Sequence, residues 1–419
     1  MRWGRGGAAL AGASIAVSVG AALAGACASS TQAPVAPARG ETRTMTFDDD
    51  VAFLAEHTDV KVLEQASGGR IAVSAKYQGR VMTSAVAPGG ASLGFLHRSF
   101  IASGKTGTSF DNYGGEDRFW LGPEGGQMGL YFAPGKPFAF AEWQTPHELQ
   151  EGSWELAAAG AANLDFTHRL HVQNWSGTAF TVDVARAIRL LGPGDVASHL
   201  GMPIPAGLAW VAYESRNTIT NAGANAWADA TGLPSIWILG MFAPAADARI
   251  VIPFDPAGEG PIVNDRYFGK VPAERLSVHD RDGYLVLSAD GNYRSKIGVG
   301  PGRARNVAGS YSPSQELLTI VQYDEAPRGK RYVNSMWEMQ KDPYAGDVIN
   351  AYNDGPTAPG KPSLGGFYEL ETSSPAAALA PQAATMHVHR TLHFVGARDV
   401  LDPIARRALG VSLDALSAR

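Results

Sequence analysis

The chain predicts an all-β protein, one large antiparallel β-sandwich with short peripheral helices, and three observations lead there. Its 49 glycines and 26 prolines are scattered as turn residues between short apolar segments and follow no period. Several of those segments alternate apolar and polar residues with period two, the pattern of strands with unlike faces. No repeat of roughly 20–50 residues is visible, which argues against a propeller or solenoid. Composition does not shift inside residues 45–419, so this stretch reads as one domain.

Ahead of it, residues 1–26 read as an export signal. Arg2 and Arg5 supply positive charge, residues 8–26 form an uncharged Ala/Gly/Val/Leu run, and Leu23-Ala24-Gly25-Ala26-Cys27 closes it. Both a small-x-small peptidase site and a bacterial lipoprotein box, its leucine one position too far upstream, place the cut before Cys27. Lipidation of Cys27 would anchor the protein to a membrane of the cell envelope, in the periplasm or at the outer membrane. Without it the chain is free in the periplasm or secreted. So much Ala and Gly makes a poor bilayer span. Residues 27–44, rich in Ser, Thr, Pro, Ala and Gly, read as a flexible tether. Cys27 is the single cysteine, which excludes an intramolecular disulfide.

The domain opens on Asp48-Asp49-Asp50, acids suited to a helix N-terminus. Strands are expected at Arg70-Ile71-Ala72-Val73-Ser74-Ala75 and over residues 180–190. Residues 275–299 read as a three-stranded meander with turns at Asp280-Arg281-Asp282-Gly283 and Ala289-Asp290-Gly291-Asn292. A last helix is expected with Asp402 as N-cap, Pro403 in its first turn and Gly410 just past its end. The formal charge of -5, with no basic run longer than pairs such as Arg406-Arg407, excludes a nucleic-acid binder.

Chemistry concentrates in a few segments. Residues 112–127 read as a glycine-rich loop in which Trp120 offers a stacking face for a sugar, while Arg118, Glu124 and Gln127 meet its hydroxyls. Residues 145–155 gather His147, Glu148, Glu151 and Glu155 around a turn. In residues 167–175 alternation puts Arg169, His171 and Gln173 on one face, with His171 the acid–base candidate and Asn174 at the end of the strand. Glu369 and Glu371 share a strand face with Cα atoms about 6.5–7 Å apart, close enough for one carboxylate to raise the pKa of the other. His387, His389 and His393 share a face opposite Val388, Leu392 and Phe394. Were the two strands to pair, imidazoles and carboxylates would meet and hold a divalent cation; no other cofactor is expected. Arg266, Glu338, Asn353 and Asp354 complete the polar residues expected at a carbohydrate cleft, and Ser/His/Asp catalysis finds no support.

The order Gly114-Gly115-Glu116-Asp117-Arg118-x-Trp120-x-Gly122-Pro123-Glu124, then His171-Val172-Gln173-Asn174, then Tyr368-Glu369-Leu370-Glu371-Thr372 before a histidine-containing last strand, spans nearly the whole domain. It resembles a bacterial lipoprotein family of unknown function in the galactose mutarotase-like, β-supersandwich superfamily. That resemblance implies a concave antiparallel sheet that binds sugars, as in aldose epimerases, lyases and glycoside-hydrolase modules. Aldose epimerases use a His acid and a Glu base, roles that fall by position on His171 and Glu369. The Asn-His pair that carries the epimerase histidine has no counterpart here. The expectation is an envelope protein acting on a sugar by Glu/His acid–base chemistry, or a glycan-binding lipoprotein without turnover.

Overall fold

The computed structural model describes residues 45–150 and 152–417; Cys27, the export segment and the tether lie outside the described residues. Everything that follows concerns the unit Thr44–Arg419.

Among the described residues, its strands form three antiparallel sheets of ten, five and three strands. The ten-stranded sheet runs Leu276–His279, Tyr284–Ser288, Arg249–Pro253, Val307–Ser312, Leu317–Tyr323, Ala384–Val395, Ala209–Asn221, Ala179–Leu190, Asn163–Gln173, Glu155–Ala159. The five-stranded sheet runs Ser295–Val299, Ile349–Asn353, Tyr368–Ser373, Ser235–Phe242, Arg118–Gly122. Lys61–Glu64, Arg70–Ser74 and Arg80–Ala85 form the small sheet.

Sequence pattern follows burial. Asn163–Gln173 alternates, with Leu164, Phe166, Leu170 and Val172 buried and Arg169, His171 and Gln173 exposed, because only one face of this strand is covered. Ser235–Phe242 is buried at every position and reads Ser-Ile-Trp-Ile-Leu-Gly-Met-Phe, because both of its faces are. Ala384–Val395 is covered on both faces from His387 to Phe394. Leu392 and Phe394 pack with Leu401, Ile404 and Leu409 of helix Arg398–Leu409, while His387 and His389 turn to the five-stranded sheet and meet Thr372.

Helix Phe47–His57 begins as its acids suggest. The Thr46 hydroxyl accepts from the Asp49 amide (3.2 Å), and the Asp49 carboxylate accepts from the Thr46 amide (3.0 Å). Two expectations are corrected. The last long helix starts at Arg398, so Pro403 lies inside it, and Asp402 accepts from the Leu413 amide (2.7 Å) and so braces the following turn. The meander also breaks. Leu276–His279 and Tyr284–Ser288 pair as a hairpin, but Ser295–Val299 crosses to the five-stranded sheet and pairs with Ile349–Asn353. The Asn353 side chain pins the crossing, accepting from the Gly291 amide (2.9 Å) and donating to the Tyr293 carbonyl (2.9 Å). This crossing delivers Lys296 to the face described next.

Candidate functional site

The period-two rule sorts the five-stranded sheet into two faces. Tyr368 and Thr372 point inward, the first to Ser310 (2.8 Å) and the second to His387 (2.8 Å), both on the ten-stranded sheet. Glu369 and Glu371 therefore point outward. Register places them in rows with Arg118 and Leu239, Met241, Tyr352 and Lys296, and Trp120 beside Trp237.

Two ion pairs tie this face together. Arg118 Nη2 donates to Glu369 Oε1 (2.8 Å), and Lys296 Nζ donates to Glu371 Oε2 (3.1 Å), which also accepts from Trp237 Nε1 (2.8 Å). A third carboxylate, Glu124, accepts from Trp143 Nε1 (3.0 Å). All three acids are buried. Burial, reinforced by the neighbouring Glu371, outweighs the pull of Arg118 and pushes the Glu369 carboxyl up to about 8. Burial likewise raises Glu124. For Lys296, burial acts to lower its pKa, but the carboxylates of Glu371, Glu124 and Glu369 prevail and raise it, so the ammonium stays charged.

Above these groups lies a narrow cavity, with room of about 50 Å³ for the centres of water molecules, lined by Arg118, Trp120, Glu124 and Glu369 below and by aromatic rings around. Loops that reach over the sheet supply the rings. Phe140 and Trp143 lie nearly parallel (6.3 Å, 7°), as do Trp143 and Trp337 (6.2 Å, 21°), and Phe268 meets Trp337 edge-on (5.5 Å, 81°). The arrangement offers apolar faces to a flat ligand and an acid group at its base.

Trp120 is not the exposed loop platform the sequence suggests. It lies in strand Arg118–Gly122, 3% exposed, among Phe110, Tyr131, Trp143 and Trp237, with the Arg118 guanidinium 4.0 Å above its ring. His171 is a larger correction. It stands exposed on the ten-stranded sheet, its amide bonded to the Glu148 carboxylate, and lines a shallow surface pocket with His147 and Gln150. The groups beside Glu369 are Arg118, Glu371 and Lys296 instead. The histidine–carboxylate cation site does not form either. The strands bearing Glu369 and His389 belong to different sheets, the carboxylates face away, and His387 and His389 share the Thr372 hydroxyl (2.8 and 2.9 Å). His393 binds Thr319 (2.8 Å) and Glu116 (3.0 Å), and among the described residues no cluster of three or more His, Cys, Asp or Glu could hold a metal.

Other candidates serve the frame. Asn174 closes its own turn by accepting from the Thr178 amide (2.9 Å). Gln127 clasps the main chain of Gln340 (2.8 and 2.9 Å). Asn353 pins the strand crossing, and Asp354 accepts from Tyr352 and from the Gly365 and Gly366 amides. Arg266 and Glu338 are exposed and outside the cavity, though each immediately flanks a loop segment that contributes a lining ring: Phe268 and Trp337. The sequence reading missed Lys296, whose signal was a lone lysine in an otherwise apolar strand, and Arg294. It also passed over Gly90-Ala91-Ser92-Leu93-Gly94, a Gly-x-Ser-x-Gly string. The Ser92 hydroxyl bonds Thr83 (2.6 Å) and the Asp50 carboxylate, so this serine is engaged by partners other than a histidine.

Fold and face together define an all-β protein of stacked antiparallel sheets with an acid-floored aromatic cavity on the outside of the five-stranded one. Residues 45–419 match the model of DUF6786, a family of unknown function, and the chain belongs to that family. No functionally curated protein matches it. Solved structures with a similar fold include a candidate aldose 1-epimerase from Escherichia coli K12 (14% identity, TM-score 0.47, covering 81% of this chain and 100% of that one). A protein from Synechocystis sp. PCC 6803 is similar at 13% identity and TM-score 0.48, covering 81% and 98%. A galactose mutarotase related enzyme from Lactobacillus acidophilus is similar at 8% identity and TM-score 0.45, again covering 81% and 98%. These likenesses concern the fold and no residue of the cavity.

Proposed function

We propose that the chain binds a sugar between the rings of this cavity and donates a proton to it from Glu369, in an epimerisation, elimination or glycoside cleavage. The observation that carries the reading is a buried carboxyl group, raised to about 8, at the floor of an aromatic-walled cavity. Such a group keeps its proton at neutral pH and gives it up to an oxygen that gains charge in the transition state. Rings hold the C–H faces of a sugar, and Glu371, held by Lys296 on the same strand face, is the candidate for the complementary base. The motif resemblance to the galactose mutarotase-like superfamily points to the same ligand class.

The test is a saccharide screen by tryptophan fluorescence, followed by NMR product analysis on wild type and Glu369→Gln. Turnover should fall by about 10²–10⁴-fold in the variant while binding persists. Unchanged turnover would remove Glu369 from the chemistry. A second reading, glycan capture without turnover, is favoured by one observation: Glu369 and Glu371 are both held in ion pairs, as structural charges are. Binding by wild type with no product from any bound sugar would establish it.

We also place the protein in the cell envelope, tethered through Cys27. Cys27→Ser should release it from the membrane fraction with an unchanged melting temperature; a variant still in that fraction after a high-salt wash speaks against lipidation.

A further inference from the structure

We propose that the sugar is an acidic one, whose carboxylate or phosphate group is received by Arg294 at the mouth of the cavity; this rests on the carbohydrate reading above. Three cationic side chains line the cavity: Arg118, Arg294 and Lys296. Two already donate to a carboxyl group, Arg118 to Glu369 and Lys296 to Glu371. Arg294 forms no ion pair among the described residues, whereas more open arginines do, such as Arg169 with Asp183 and Arg331 with Asp229.

What holds Arg294 is aromatic. Its guanidinium carbon lies 3.6 Å from the centre of the Phe268 ring and 5.2 Å from that of Phe140. Stacking uses the face of the guanidinium; one edge also meets the Tyr352 hydroxyl, and the Nε edge stays open, the presentation that suits a planar oxyanion. Its Nε is buried without a hydrogen-bond partner, and so are Arg118 Nε and Trp120 Nε1 deeper in the same cavity. These three unspent atoms are donors, against one unpartnered acceptor on the same sheet face, Glu371 Oε1. A neutral hydroxyl brings a donor of its own along with its lone pairs, while a carboxylate or phosphate brings acceptors only. The upward shifts of Glu369 and Glu124 act in the same direction, since each proton retained on the wall leaves the cations in excess. The sugar ring would then sit over Glu369 with its charged substituent outward.

The experiment compares D-glucuronate, D-galacturonate and D-glucose 6-phosphate with D-glucose and D-galactose, and oligogalacturonate with neutral oligosaccharides, by tryptophan fluorescence and calorimetry on the full chain. Wild type, Arg294→Gln and Arg294→Lys are measured side by side, with melting curves to show that each is folded. Acidic sugars should bind wild type about tenfold tighter than their neutral parents. Arg294→Gln should bring that ratio to about one, and Arg294→Lys, which keeps the charge and loses the planar fork, should leave it between. Uronate against phosphate then identifies which oxyanion is the ligand. Neutral sugars binding wild type as tightly as acidic ones, or a ratio that survives Arg294→Gln, overturns this inference and leaves the carbohydrate reading standing. If no sugar of either kind binds, the carbohydrate reading falls and this inference with it.

Discussion

Two polar regions lie on opposite faces of the five-stranded sheet. Between the sheets, Glu116 accepts from Ser84, Tyr213 and His393, while His387 and His389 share Thr372. On the outer face, Arg118, Lys296 and Glu369 are as deeply buried, yet Arg118 Nε, Trp120 Nε1 and Glu371 Oε1 have no partner, against Asp117 Oδ2 between the sheets, and rings frame an opening. Density of polar residues is therefore a poor guide to a site. A buried polar group without a partner costs about 1–3 kcal/mol, so several of them around one opening mark where a ligand would recover that energy.

The largest effect that separates the regions is set by acid. Burial lowers His387 to about 3 and His389 to about 4, both below the ordinary 6.5. The unfolded chain takes up protons below pH 6.5 that the folded chain refuses, so stability present above that pH is lost as pH falls towards 4. Each histidine contributes at most about 1.4 kcal/mol per pH unit. Denaturant unfolding at pH 7, 6 and 5 should show this slope, and the double substitution His387→Gln/His389→Gln should flatten it; an unaltered slope would show that other groups govern acid stability.

A smaller effect sharpens the division of labour within the cavity. Trp120→Ala should cost about 3–5 kcal/mol of stability, as a core tryptophan does. Phe140, 42% exposed at the mouth, should cost under about 1 kcal/mol on truncation and lower ligand affinity instead. If Trp120→Ala melts like wild type, the ring is a platform and not a core residue.

Local pattern made part of this legible. Alternation located the strands around His171 and put Glu369 and Glu371 on one face, because side-chain direction in a strand depends only on neighbours in sequence. Sheet membership depends on distant partners. Hence Ser295–Val299 was read as the third strand of a meander when it belongs to the opposite sheet, and Lys296 went unseen. The same limit hid the cavity: Phe140, Trp143, Phe268 and Trp337 come from three separated loops, and their convergence is a property of the fold. The histidine face failed for another reason. Helix Arg398–Leu409 covers the apolar side of Ala384–Val395, so the polar side is the inner one, the reverse of what a strand with one wet face would show.

The central claim, that Glu369 is a carboxylic acid kept protonated near neutrality, can be tested without knowing the substrate. The measurement is the difference in unfolding free energy between wild type and Glu369→Gln from pH 4 to pH 9. With the folded carboxyl at about 8 against an ordinary 4.5, the folded protein keeps a proton that the unfolded chain gives up. The stability of wild type relative to the variant should therefore fall as pH rises from 4.5 to 8, by at most about 1.4 kcal/mol per unit, and level off above. A carboxylate held ionised by Arg118 has the opposite sign: its relative stability would rise with pH up to about 4.5 and stay flat beyond, and that result would contradict the account.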